Sequence, residues 1–246
     1  MLDVALTVAH AHPAEVAVVI DVLRATTTIT HALDCGYRRV LVVDSLEGAE
    51  AMRAPPRAIA GERDCVRPPG FDLGNSPEDA DPPIAEELVL ATTNGAPAII
   101  AAAAVTDEVL LGCLLNLDAV CAAISGRDAL LVCAGVEGNV GLDDVYVAGR
   151  IAAALPGERT DAALLTQAVA TAHGSPRDAI GAGAAARLLV EVGLEADIDF
   201  CAQESITATV PRVTAIRGGI ATLRAHSRPE EQETFARGPL APGKNG

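Results

Sequence analysis

The chain has 246 residues, half of them apolar, with 33 acidic against 18 basic side chains and a formal charge of −15. That length buries a substantial core in one domain or two small lobes, while the charge opposes binding of nucleic acid, whose phosphates need clustered Lys and Arg. Three Phe, two Tyr and no Trp leave little for base stacking. Six scattered cysteines without a C-x-x-C pair argue against a zinc ribbon and suit a reducing compartment. No apolar run is long enough to span a bilayer, and no basic segment precedes an apolar one at the N-terminus. The expectation is a cytoplasmic protein without a membrane partner. A homo-oligomer stays open.

In chain order, AHAHP at 9–13 reads as a surface turn, with His10 and His12 lacking a third ligand nearby in sequence. AVVI at 17–20 predicts a strand, and TTTITHALDCG a helix closed by Gly36. Strands follow at VLVV (40–43), RAIA (57–60), LVLA (88–91), VLL (109–111) and ALLVC (129–133), with helical LNLDAVCAAISG ending at Gly126. This is βαβ rhythm, and strands apolar on both faces need helices on both sides. The fold class is therefore α/β: a three-layer α/β/α sandwich with a largely parallel or mixed sheet. From about 143 to 195 the pattern is helical, covering one face or forming a sub-lobe. VPRVTAI at 210–216 is a late strand that rejoins the sheet, favouring a single domain over 1–226. The polar, Pro- and Gly-rich segment 227–246 reads as a flexible tail.

Polar motifs stand where four of these strands stop. Asp21, Arg24 and Thr26, Thr27 and Thr28 follow the first, and Gly61-Glu62-Arg63 and GFDLGNSP follow RAIA. Thr92-Thr93-Asn94-Gly95 follows LVLA, and a loop reaching Asp143 and Asp144 follows ALLVC. Singly, each has a plain structural reading: Asp21 and Asp143 as helix caps, Asn75-Ser76-Pro77 as an N-cap with proline in the first turn. Together they gather carboxylates, arginines, hydroxyls and glycine-exposed main chain. Such groups bind a divalent cation and a phosphate. Mg²⁺ accepts a few carboxylates and fills its octahedron with water, so Asp21, Glu62 and Asp144 are the candidate ligands. Arg24 and Arg63 offer planar forks to an anionic phosphorylated substrate. Thr26, Thr27, Thr28, Asn75, Ser76, Thr92, Thr93, Asn94 and Gly95 are candidate contacts to it. Asp21, Arg24, Glu62 and Asp144 are the candidate catalytic set.

These residues resemble the 2-phosphosulfolactate phosphatases of coenzyme M biosynthesis, the ComB family. The resemblance rests on DVLRATTTI, GER with GFDLGNSP, TTNG, CAG with the following Asp-Asp, Asn116 and DIDFCAQ, and spans about residues 16 to 216. It implies a three-layer α/β fold and Mg²⁺-dependent hydrolysis of a phosphate monoester on a sulfonated, carboxylated three-carbon acid. Two departures stand out: Ala96 where a threonine is expected, and Asp64-Cys65-Val66-Arg67 in place of a glycine-rich, lysine-containing loop. These departures bear on how the substrate is oriented, and a related phosphorylated 2-hydroxy acid is the other candidate substrate. A metal-dependent anion-binding protein without turnover is the alternative. A DxD phosphoaspartyl pattern is broken by Leu23, though a nucleophilic role for Asp21 stays open. The Cys-x5-Arg spacing of Cys121 and Arg127 falls inside a helical segment, not at an anion-binding strand end.

Overall fold

Among the described residues nine strands are formed: β1 (Leu2–Ala5), β2 (Val16–Ile20), β3 (Arg39–Val43), β4 (Arg57–Gly61), β5 (Glu87–Ala91), β6 (Val109–Gly112), β7 (Ala129–Cys133), β8 (Pro211–Arg217) and β9 (Ile220–Ala225). The computed structural model describes residues 1–226, so the expected tail at 227–246 lies outside it. All nine strands join one sheet in the order β1-β7-β2-β6-β8-β9-β3-β5-β4. β1, β7, β2 and β6 are mutually parallel, as are β3, β5 and β4. In the hairpin β8-β9, β8 runs antiparallel to β6 through Leu110 opposite Arg212 and β9 antiparallel to β3 through Val40 to Val42, so it joins the two parallel sets, which run in opposite directions. Gly218 and Gly219, both at positive φ, make its two-residue turn. The expected late strand is therefore in the sheet, and it brings β9 with it.

The sheet is apolar on both faces, as parallel strands require. Val16, Val18 and Ile20 of β2 enter one core cluster, and Ala17 and Val19 another. The second cluster draws residues from every strand, β8 through the partly buried Val213, together with Ile29, Ala32 and Leu33 of α1 (Ala25–Cys35) and Ile99 and Ala102 of α3 (Gly95–Val105). The opposite face is covered in two halves. Over β3, β4 and β5 lies the short α2 (Leu46–Ala51). Over the other half lie α4 (Leu117–Ile124), α5 (Leu142–Ala154), α6 (Asp161–Ala172), α7 (Pro176–Gly181), α8 (Ala184–Glu191) and α9 (Glu195–Cys201). The result is the expected α/β/α sandwich. The helical segment after 142 covers one face, with Val147 and Ile151 of α5 in the same cluster as β2. Cys121 lies within α4, away from any strand-to-helix turn. Among the described residues, no helix is long and apolar enough to cross a membrane.

Candidate active site

β2 is fully buried along its length, and Asp21 is the first residue past its end. Its Oδ1 accepts the Ala25 N–H at 3.1 Å, capping the first turn of α1, and its main-chain carbonyl accepts the Thr26 N–H at 2.9 Å. The cap leaves Oδ2 free to face Gly95, where an added Cβ would come within 2.9 Å of it. Five inter-strand steps separate β2 from β5 in the sheet, and in a flat sheet they would hold the two strands about 24 Å apart with their C-terminal ends on opposite edges. The two oppositely directed halves therefore fold toward each other, and the ends of β2 and β5 meet at Asp21.

Thr26, Thr27 and Thr28 are buried. Thr26 Oγ1 lies 2.8 Å from the Asp21 carbonyl and 3.0 Å from that of Gly112, its one proton serving either. Thr27 donates to the Val22 carbonyl and Thr28 to that of Asn75, each at 2.8 Å. Their hydroxyls thus bind main chain, fixing the start of α1 to β6 and to the loop around Asn75. Arg24 is equally buried. Its Nη1 donates to Asp197 Oδ2 at 2.6 Å and its Nη2 to the Cys65 carbonyl at 2.7 Å. Ser76 Oγ donates to the other oxygen of Asp197. Asp197, in α9, therefore joins two candidates that lie far apart in sequence, and only the quoted DIDFCAQ stretch pointed towards it.

The carboxylates divide by their partners. Asp144 Oδ1 accepts the Val22 N–H at 2.9 Å and Oδ2 the Gly135 N–H at 2.8 Å, so it ties α5 to the ends of β2 and β7. Glu62 accepts from Thr93 Oγ1 at 2.9 Å and from the Cys65 N–H at 3.0 Å. That second bond steadies a tight turn in which Asp64 and Cys65 take φ of 53° and 67°. Burial pushes the Asp21 carboxyl up to about 7, with the Ala25 N–H opposing and Asp143 and Glu62 adding repulsion. Asp143 is pushed up to about 6 by burial, and Asp144 is driven well above the carboxylate range by burial and by its two acidic neighbours. A cation at this rim would relieve all three.

A cavity of about 70 Å³ opens here, lined by Asp21, Arg24, Glu62, Asn75, Thr92 and Asn94 among others. It has room for a few waters or one small anion. Asn75 is buried and its Oδ1 has no hydrogen-bond partner, an acceptor that calls for a ligand. A wider cleft of about 400 Å³ adjoins it, lined by Glu62 and Thr92 again and by Arg63, Thr93, Asp44 and Ser45. The candidates thus fall into three groups. Asp21, Arg24, Glu62, Asn75, Thr92 and Asn94 line the cavity; Arg63 and Thr93 line the cleft. Asp144, Ser76 and the three threonines stand behind the wall, and Gly95 begins α3 where a side chain would strike Ala25 and Asp21. Asp21, Glu62 and Asp144 do not bring their ligand oxygens within 4.8 Å of one another, because Asp144 is turned to main-chain N–H groups. The donors that face the cavity are two carboxylates. Mg²⁺ is commonly held by one or two, with water and substrate oxygens completing its shell.

The family described as 2-phosphosulpholactate phosphatase matches residues 3–215. A Thermus thermophilus protein named probable 2-phosphosulfolactate phosphatase is 41% identical over 206 residues, 80% of this chain and 87% of that protein. One of the same name from Deinococcus radiodurans is 38% identical over 211 residues, 81% of this chain and 88% of that protein. The Methanothermobacter thermautotrophicus protein named 2-phosphosulfolactate phosphatase is 35% identical over 196 residues, 79% of this chain and 84% of its own. Since the matched span runs through all four strand-end motifs and the cavity they build, the chain belongs to the 2-phosphosulfolactate phosphatase family, phosphoric monoester hydrolases.

Proposed function

We propose that this protein is a Mg²⁺-dependent phosphatase that hydrolyses 2-phosphosulfolactate, or a related phosphorylated 2-hydroxy acid, to the hydroxy acid and inorganic phosphate. One observation carries the reading: the buried Asp21 carboxyl, fixed at a strand end, shares a small cavity with Glu62, Arg24 and the unpartnered Asn75 Oδ1. Asp21 and Glu62 would hold the ion, which when bound neutralises phosphoryl charge and lowers the pKa of a water. Arg24, oriented by Asp197 and the Cys65 carbonyl, presents its remaining N–H face to phosphate oxygens. Arg63, which lines the adjoining cleft, would bind the sulfonate or carboxylate end of the substrate. Asp144 and the three threonines keep the ends of β2, β6 and β7 in register with α1 and so hold Asp21 in place.

The test is release of inorganic phosphate from synthetic 2-phosphosulfolactate and phospholactate by metal-stripped protein, with and without added Mg²⁺. Mg²⁺-dependent release from either substrate supports the proposal. Mg²⁺-dependent binding of both with no release would establish the anion-binding alternative.

A further inference from the structure

At the C-terminal end of α1, away from Asp21 at its start, three side chains converge that the phosphatase reading does not use. His31 and Cys35 lie four residues apart and so share one face of the helix. Cys35 Sγ is 3.4 Å from His31 Nε2 and 3.7 Å from Nδ1. Asp81 closes the group from the turn that ends the 3-10 segment Pro77–Ala80, and one ligand atom from each residue lies within 4.8 Å of the others. In a tetrahedral zinc site, sulfur and nitrogen ligands sit about 3.5 Å apart, given Zn–S near 2.3 Å and Zn–N near 2.0 to 2.1 Å. The observed 3.4 Å matches that edge. Phe200 packs edge-on against the His31 ring, with centroids 4.9 Å apart, and limits its rotation. His31 and Cys35 are half-buried and Asp81 is exposed, so an ion can enter from solvent.

We propose that His31, Cys35 and Asp81 form a second cation site, selective for a soft divalent ion such as Zn²⁺, with water as the fourth ligand. Thiolate and imidazole donors exclude Mg²⁺ as the natural occupant and separate this site from the all-oxygen donors of the phosphatase cavity. On binding, Cys35 ligates as thiolate and its proton passes to solvent. The ion fastens the Pro77–Ala80 segment to α1. Thr28 already holds the chain two residues before this segment through the Asn75 carbonyl, and Ala80 packs in the core cluster of Ile29 and Leu33. Metal binding at one end of this segment thereby stiffens the loop that carries Asn75 and Ser76 at the other.

The full-length, metal-stripped protein is titrated with Zn²⁺ against a chelating indicator, and separately with Co²⁺, whose thiolate charge-transfer absorption reports sulfur ligation. The expected result is one thiolate-ligated site, its band lost in Cys35→Ser and kept in Cys65→Ser, the other cysteine near a metal-binding cavity. His31→Gln and Asp81→Asn should weaken Zn²⁺ binding at least about tenfold, since disturbing even an outer partner of a metal ligand costs 10- to 100-fold. Zn²⁺ should raise Tm in wild type and not in Cys35→Ser. Asp81 is exposed, so Asp81→Asn tests the site even if a helix variant folds poorly. A band that survives Cys35→Ser, or Zn²⁺ affinity unchanged in Asp81→Asn, overturns the proposal.

Discussion

Asp21 performs two tasks with two oxygens: Oδ1 caps α1 and Oδ2 faces the cavity rim. Asp21→Asn separates them, because asparagine caps a helix about as well but lacks the charge a cation needs. The variant should fold with a Tm in EDTA close to that of wild type, and lose most Mg²⁺-induced stabilisation and phosphate release. Calorimetry with and without Mg²⁺ checks this, and Mg²⁺ affinity kept alongside abolished turnover would instead make Asp21 the nucleophile. Arg24 is bound into the fold as well as the site. Arg24→Met should lower activity at least tenfold, in keeping with a charge-assisted bond of about 1.5 to 3 kcal/mol. It should also cost about 3 to 5 kcal/mol of stability, because Asp197 is left buried without its cation. Adding Asp197→Asn should restore much of the stability and none of the activity, and urea melts beside kinetics separate the two effects. The residue types at the strand ends were readable in sequence because a rim site needs carboxylates, guanidiniums and glycine together. Side-chain direction was not: the threonine hydroxyls turn to carbonyls of Gly112 and Asn75, which adjoin them only once the chain has folded. For the same reason Asp197 went unassigned, since its meaning depends on a partner 173 residues away.

Among the elements, the central strands of both parallel sets were legible because their β-branched and aliphatic runs are bounded by turn residues. β1 and β9 escaped, since LDVA is short with a polar second position and IATLRA mixes polar residues into its run. The Gly218-Gly219 pair was the signal that would have identified the hairpin. At the opposite end of the sheet from the cavity, β3, β4 and β5 are tied by one buried carboxylate: Glu87 sits opposite Arg39 and Arg57 in register and also bonds Arg38. Burial alone would raise the Glu87 carboxyl, but the three guanidiniums outweigh it and hold it at about 2. A carboxyl held below its unfolded value stabilises the fold above the unfolded pKa and loses that contribution as pH falls through the folded one. Glu87 should thus contribute fully above about pH 4.5 and progressively less down to about pH 2. Glu87→Gln should cost about 1 to 3 kcal/mol at neutral pH, the arginines being partly solvated. The gap from wild type should narrow in acid, which denaturant melts across that range will measure.

Over the whole molecule, the two parallel strand sets contribute different parts of the cavity. Asp21 and Arg24 follow β2 on one side; Glu62, Asn75 and Thr92 follow β4 and β5 on the other. The hairpin that joins them comes from residues 211–225, after every strand it must connect. During synthesis, then, the nascent chain carries β6 and β3 as open edges, each flanked by apolar faces, until residues 211–225 are made. Unpaired edges of this kind recruit other strands, and a protein that finishes its sheet late is exposed to aggregation while it waits. A chain stopped after Val210 should be recovered mostly as aggregate or as strand-exchanged oligomers, as soluble yield and sedimentation will show, and a soluble, active truncation would mean that the edges close without the hairpin. The two walls of the cavity, one after β2 and the other after β4 and β5, thus share a sheet only through residues 211–225, and the site is held together by strands that come later in the chain than every residue lining it.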